Sequence, residues 1–227
     1  MKVIIIGLGN FGGSLAAKLT QQGNEVIGVD SRSEKVNLYK DTLSHTICMN
    51  ATDQGAIAHL PLKNTDIVMV CIGEDEGANI MVTALFKNLG VKRLISRSIN
   101  PLHENVLKAI GVSEIVRPEE ETAERWAKKL CLKGIIDSFE LNKNFSIIEL
   151  VVPEKYIDKT IAEVGFRENY NVLILTVISA MEEKNFLGKS KTVSHVKGIP
   201  EPNTLLEKDD ILVIYGSNTD LQKFARN

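Results

Sequence analysis

Gly7, Gly9 and Gly12 punctuate the stretch VIIIGLGNFGGSL at residues 3 to 15, directly after four apolar residues. A G-x-G-x-x-G run placed between a strand and a helix has a defined chemistry. It allows a tight turn, close backbone approach to a phosphate and close helix packing, and the helix N-terminus favours the anion. Asn10 and Phe11 lie inside the run. The next apolar run, EVIGVD, ends in Asp30, 23 residues after Gly7 and followed by Ser31. A carboxylate there accepts hydrogen bonds from ribose hydroxyls and repels a 2′-phosphate, which disfavours NADP despite the adjacent Arg32. The loop alone leaves two functions open: a dehydrogenase that consumes a nicotinamide cofactor, or a regulatory domain that senses an adenine nucleotide.

Other candidates sit where strands should end. Asn50-Ala51-Thr52-Asp53 follows the third strand and can border an adenine, while Thr52 or Asp53 equally suits a helix N-cap. Cys71-Ile72-Gly73 follows the fourth strand, where Gly73 lets the backbone approach a ribose or simply ends the strand. Arg97 follows the fifth and brings a permanent positive charge toward the phosphates, unless it is only a solvated arginine. A nicotinamide enzyme also needs a proton donor or acceptor near the hydride. His45, His59, His103 and His195 are scattered, and none has an acidic partner at a spacing that reads as a catalytic pair. There is no serine nucleophile elbow, Walker loop or H-E-x-x-H pattern.

The elements that must position these residues are legible from the apolar pattern. Short β-rich runs (KVIII, EVIGV, TICM, DIVMVCI, RLIS and EIV) alternate with helical patterns at 11–22, 33–43, 53–60, 75–88 and 101–110. This predicts an α/β domain over residues 1–118: a Rossmann-type, doubly wound parallel sheet of six strands. Phe11, Leu15 and Leu19 form a sheet-facing stripe on the first helix. From Pro118 the run PEEETAERWAKKLCLKG is helical, acidic at its start and basic at its end through Lys128, Lys129 and Lys133, with Gly134 as its stop. Trp126, Leu130 and Leu132 give it an apolar surface for dimerisation, so 119–141 is the expected connecting region. A polar joint at 142–145 leads into a small α+β module over 142–227, with strands at SIIELVVP, VLILTVI and ILVIYG, a short helix near 159–164 and a last helix from 218.

The chain of 227 residues is 44% apolar and 25% charged, enough for one ordinary core and a second smaller one. Its formal charge of −2 gives no basic field for nucleic acid. Cys48, Cys71 and Cys131, odd in number and set in apolar segments, read as buried thiols in a reducing compartment. The longest apolar runs fall far short of the ~20 residues of a membrane helix, and Met1 leads straight into a strand. A cytoplasmic protein without direct membrane insertion is expected.

The ordered set GLGNFGGSLA, VD at Asp30, NATD at 50–53, IGEDEGAN at 72–79, SRSINPLHENVLKAIGVSEIVRPEE at 96–120 and PNTLLEKDDILVIYG at 202–216 resembles the RCK, or KTN, regulatory subunits of Trk and Ktr potassium-uptake systems. The resemblance covers nearly the whole chain. It implies a non-enzymatic cytoplasmic sensor in which ATP or ADP, or NAD or NADH, reshapes a ring of subunits beneath a potassium-translocating membrane protein. A homodimer as the minimum unit and an octameric ring are implied. Carried over by residue, the resemblance puts Gly7, Gly9 and Gly12 at the phosphates, Asp30 at the ribose, Ala51 and Thr52 near the adenine and Arg97 near the phosphates. Glu119 matches a position that helps to hold a divalent cation, and equally suits a helix N-terminus. Many Ktr-type members carry Arg where this chain has Asn10, and that Arg reaches a terminal phosphate. Its absence weakens ATP-over-ADP discrimination. Some relatives bind cyclic di-AMP between C-terminal modules; here the longer stretch 182–198, with Lys184, Lys189, Lys191 and Lys197 as a basic hairpin or a plain solvated loop, departs from them. A small NAD-dependent oxidoreductase is the alternative.

Overall fold

The computed structural model describes residues 1–131, 134–184 and 190–226. The chain divides into two compact units, Met1–Glu121 and Thr122–Asn227. In the first, strands β1 (Lys2–Ile6), β2 (Glu25–Asp30), β3 (His45–Cys48), β4 (Ile67–Val70), β5 (Leu94–Arg97) and β6 (Glu114–Val116) form one parallel sheet in the order β3-β2-β1-β4-β5-β6. The strand order reverses direction between β1 and β4, and ligands of open α/β sheets bind outside the carboxyl ends at such a point.

The pleat explains why β1 is apolar at every position after Lys2. Ile4 and Ile6 join the core on one face with Ile27, Val29, Val68 and Phe86, while Val3 and Ile5 join the opposite core with Leu8, Ala16 and Val26. A strand covered on both faces has no side left for polar residues. Helix α1 (Asn10–Gln21) buries Gly12, Gly13 and Ala16, with Phe11, Leu15 and Leu19 packed beside them, so the expected stripe forms one edge of that contact. Helices α2 (Ser33–Tyr39) and α3 (Gln54–Ile57) are shorter than their patterns suggest. Pro61 and a 3-10 turn at Leu62–Asn64 cut off the helical pattern after α3. Helices α4 (Glu76–Asn88) and α5 (Pro101–Ala109) complete the winding.

Helix α6 (Pro118–Cys131) follows, with Glu119, Glu120 and Glu121 in its first turn. In it Trp126 is half-exposed and Leu130 is exposed. The second unit holds an antiparallel sheet in the order β10-β9-β11-β8-β7: β7 (Ile135–Asn142), β8 (Phe145–Val151), β9 (Val172–Lys184), β10 (Ser190–Val196) and β11 (Ile211–Ser217). Its core combines Ile148, Leu150, Leu212 and Ile214 with Val164 of α7 (Ile161–Val164), Phe166 of α8 (Phe166–Tyr170) and Leu221 and Phe224 of α9 (Asn218–Arg226).

Two strands depart from the sequence reading. Ile135–Asn142 is not a connecting segment but the edge strand β7, and the polar joint is the turn of its hairpin with β8, where Asn142 Oδ1 accepts from Asn144 N and Phe145 N. Strand β9 runs past residue 178 and pairs with β10. Lys197 is no free hairpin cation: its Nζ lies 3.0 Å from Oδ2 of buried Asp210. Leu132, Lys133 and Lys189 lie outside the described residues, as do the side chains of Lys128, Cys131, Lys184 and Lys191. No helix among the described residues is long and apolar enough to cross a membrane.

Candidate functional site

A cavity of about 670 Å³ opens at the carboxyl ends of β1, β2, β4 and β5. Of the sequence candidates, Gly7, Gly9, Asn10, Phe11, Asp30, Ser31, Ala51, Thr52, Ile72, Gly73, Arg97 and Glu119 line it. Gly12 and Asp53 do not. Gly12 acts from beneath, since a Cβ there would stand 2.0 Å from Gly7 O and 2.8 Å from Cys71 Cβ. Asp53 is the N-cap of α3, its Oδ1 accepting from Gly55 N at 2.8 Å. Thr52 is turned by its neighbour, its N and Oγ1 both donating to Asn50 Oδ1.

Helix α1 starts at the cavity. Gly7 bends the chain there at φ +96°, and no side chain caps the first amides of α1 at Gly9. Those amides have no intrahelical acceptor, which leaves them free for an anion. Asp30 fixes the loop from below: its Oδ2 accepts from Leu8 N at 2.8 Å, and its Oδ1 from Arg32 N at 2.9 Å and Arg32 Nε at 3.3 Å. Burial alone pushes this carboxyl's pKa up. The backbone bonds from Arg32 and Leu8 and the Arg32 guanidinium outweigh it and hold the group below its ordinary value, so it is ionised at neutral pH. Arg32 reaches on to Glu74 Oε2 at 2.9 Å.

Arg97 is the second cation. Its guanidinium packs on the Gly73 backbone, where a Cβ would meet Nη1 at 2.4 Å, and lies 5.8 Å from the centre of the Phe11 ring. Nη2 pairs with the Glu119 carboxylate, and the buried Nε has no partner. A guanidinium that lines the same cavity as the uncapped start of a helix suits a phosphate. Glu119 suits a resident metal less well. It is engaged by Arg97, and no group of three or more His, Cys, Asp or Glu among the described residues could hold a metal ion.

The cavity's remaining carboxylates are also occupied: Asp75 caps α4 through Ala78 N, and Glu74 meets Arg32. Cys71 lines the wall as a buried thiol whose pKa burial pushes up to about 12, with the nearby Arg97 opposing, so it is a neutral apolar neighbour. Cys48 is exposed, contrary to the expectation of a buried thiol. Residues on the far wall escaped sequence reasoning: Met49, Ala78, Met81 and Val82 also line the cavity. Ala78, Met81 and Val82 lie at helical spacing on α4, so a long stripe there was the available signal.

The TrkA-N domain model matches residues 3–118 and the TrkA-C domain model residues 146–227. The chain is 33% identical to Ktr system potassium uptake protein C of Bacillus subtilis, over 98% of this chain and 95% of that protein. It is 30% identical to Ktr system potassium uptake protein A of the same organism, over 97% and 93%. Among solved structures the GsuK RCK domain superposes with a TM-score of 0.64 at 18% identity, covering 99% of this chain and 47% of that one. The GsuK channel bound to NAD gives 0.64 at 17% identity, covering all of this chain and 39% of that one. These two likenesses carry the fold alone. With both domain models in order and curated relatives matched over almost their full lengths, the chain belongs to the family of TrkA-N and TrkA-C domain proteins that includes the Ktr system potassium uptake proteins.

Proposed function

We propose that this chain is the cytoplasmic regulatory subunit of a potassium-uptake channel or transporter, and that it responds to an adenine nucleotide bound at the glycine-loop cavity without consuming it. The observation that carries the reading is the cavity itself, lined together by the start of α1, Arg97 and Asp30. In this reading Gly7, Gly9, Asn10 and Phe11 meet the phosphates with Arg97, Asp30 and Ser31 meet a ribose, and Ala51 and Thr52 border the adenine. ATP, ADP, NAD and NADH are the candidate ligands, and one structural neighbour is a channel bound to NAD. A divalent cation would have to arrive with the nucleotide and draw Glu119 away from Arg97.

Chemistry favours sensing over turnover. Among the described residues lining the cavity none is His, Tyr or Lys, and its carboxylates are held by Leu8, Arg32, Ala78 or Arg97. That is a poor supply of proton donors and acceptors for hydride transfer. The partner is an integral-membrane potassium-translocating subunit, which places the protein at the inner face of the cell membrane. Exposed Trp126 and Leu130 on α6 support a homodimer, and an octameric ring is the functional assembly. A ligand shifts only an equilibrium between states that it binds differently, and a ring sums such differences over its sites.

The test is potassium uptake in cells that carry the membrane subunit and lack its regulator. Expression of this chain should restore nucleotide-dependent uptake, and Trp126→Asp should abolish it while leaving nucleotide binding intact. A chain that stays monomeric by light scattering, with and without nucleotide, overturns the assembly.

A further inference from the structure

The ladder between β4 and β5 ends at Val70 and Ser96, before the chain reaches the cavity. Beyond it a single side chain ties the two strand ends together. Asn79 of α4 is fully buried, and its Nδ2 donates to Ile72 O at 2.8 Å and to Arg97 O at 3.1 Å. Both acceptors belong to residues that line the cavity. Its Oδ1 accepts from Ser96 Oγ at 3.1 Å and from His103 Nε2 at 3.2 Å, with Thr83 Oγ1 at 3.4 Å. Those three partners come from β5, α5 and α4, and each is at most 1% exposed.

This arrangement admits one orientation of the amide. Turned over, its oxygen would face two carbonyl oxygens and its NH2 would face the hydroxyl and imidazole donors. His103 must then donate from Nε2, which makes it the neutral tautomer with Nδ1 unpartnered. Burial lowers its pKa, with Glu76 opposing, in keeping with a neutral ring. A fully buried amide that uses both donors on main-chain carbonyls beside a cavity acts as a clamp, because losing it strands two buried acceptors.

We infer that Asn79 is the positioning residue of the cavity's phosphate side, holding the Ile72–Gly73 backbone and the Arg97 main chain in register so that the Arg97 guanidinium rests on Gly73. The inference rests on the nucleotide reading above. It names a residue that touches no ligand and still decides how strongly a phosphate is held relative to a nucleoside, since the adenine wall at Ala51 and Thr52 hangs from β3 and not from this clamp.

The experiment compares ADP with adenosine by calorimetry on the full chain. Asn79→Asp keeps the shape and replaces both donors by oxygen. ADP affinity should fall about tenfold or more, while adenosine affinity changes less than about twofold, and the salt dependence of ADP binding should weaken. A clamp that served only the fold would lower both affinities together, so an unchanged ADP-to-adenosine ratio overturns the inference. Should Asn79→Asp fail to fold, the double variant Ser96→Ala, Thr83→Val removes two of the groups that orient the amide. It should reduce the same ratio by about threefold, and a ratio equal to wild type overturns the inference as well. Wild-type protein that binds none of ATP, ADP, NAD and NADH removes the nucleotide reading and this inference with it. Wild-type binding with unaltered variants removes the inference alone.

Discussion

In the proposed reading Asp30 both fixes the glycine loop and meets a ribose, and substitution separates the two. Asp30→Ala leaves Leu8 N, in a residue 1% exposed, without its acceptor and frees Arg32 N and Nε. An unpaired buried amide costs ~1–3 kcal/mol, and loss of the partly exposed Arg32 ion pair adds up to ~1 kcal/mol. The sum, about 1–4 kcal/mol, is a sizeable part of a typical domain's stability but leaves it folded. Asp30→Asn keeps one oxygen for Leu8 N, so the cost of that unpaired amide is recovered although the acceptor for Arg32 is lost. It does not restore a charged ribose acceptor, and nucleotide affinity should stay ~1.5–3 kcal/mol weaker, roughly ten- to a hundredfold. The carboxyl's lowered pKa adds a pH signature. The stability it contributes is present above its unfolded value, near 3.8, and is lost as pH falls through its lower folded value. Urea denaturation over acidic pH should show that limb in the wild type and a flatter one in Asp30→Ala. Wild-type stability in Asp30→Ala, or wild-type nucleotide affinity in Asp30→Asn, refutes the corresponding duty.

Four further outcomes are expected. Arg97→Gln should lower ADP affinity about tenfold and leave adenosine binding unchanged in a titration, because the guanidinium that packs on Gly73 and lines the cavity is charged. Gly12→Ala should abolish nucleotide binding and cost at least ~2 kcal/mol in urea denaturation, since its Cβ would overlap Gly7 O. Native protein should prefer ATP to ADP by less than about tenfold, and Asn10→Arg should raise that ratio in a paired titration. Because burial lowers the His103 pKa, stability should begin to fall as pH drops below its unfolded value near 6.5, and His103→Gln should flatten that limb in a pH series of melting curves.

Much of the first unit is legible before folding because its central strands β1 and β2 are buried on both faces. Val3 to Ile6 are apolar at either parity, and no other arrangement uses such a run so well. The second unit is harder. Strand β7, IIDSFELN, carries Asp137 and Glu140, so its alternation is weak. Strand β10, SKTVSHV, is polar and lies at the sheet edge, where partners on one side suffice. At the site, spacing alone singles out the glycine loop, Asp30 and Arg97. Asp53 as a cap was one of two readings that local sequence allows, and only the turn to Gly55 N decides between them. The hold of Asp30 on Leu8 and the clamp at Asn79 join residues 22 and 18 positions apart, and such pairings exist only once the sheet has formed.

The most direct test of the central claim is calorimetric titration of the purified full chain with NAD, NADH, ADP and ATP, followed by chromatography of the recovered nucleotide. Saturable binding of at least one of them is expected, weakened by Asp30→Asn and Arg97→Gln, with the nucleotide recovered unchanged. Absence of binding by all four, or conversion of the nucleotide during incubation, would contradict it.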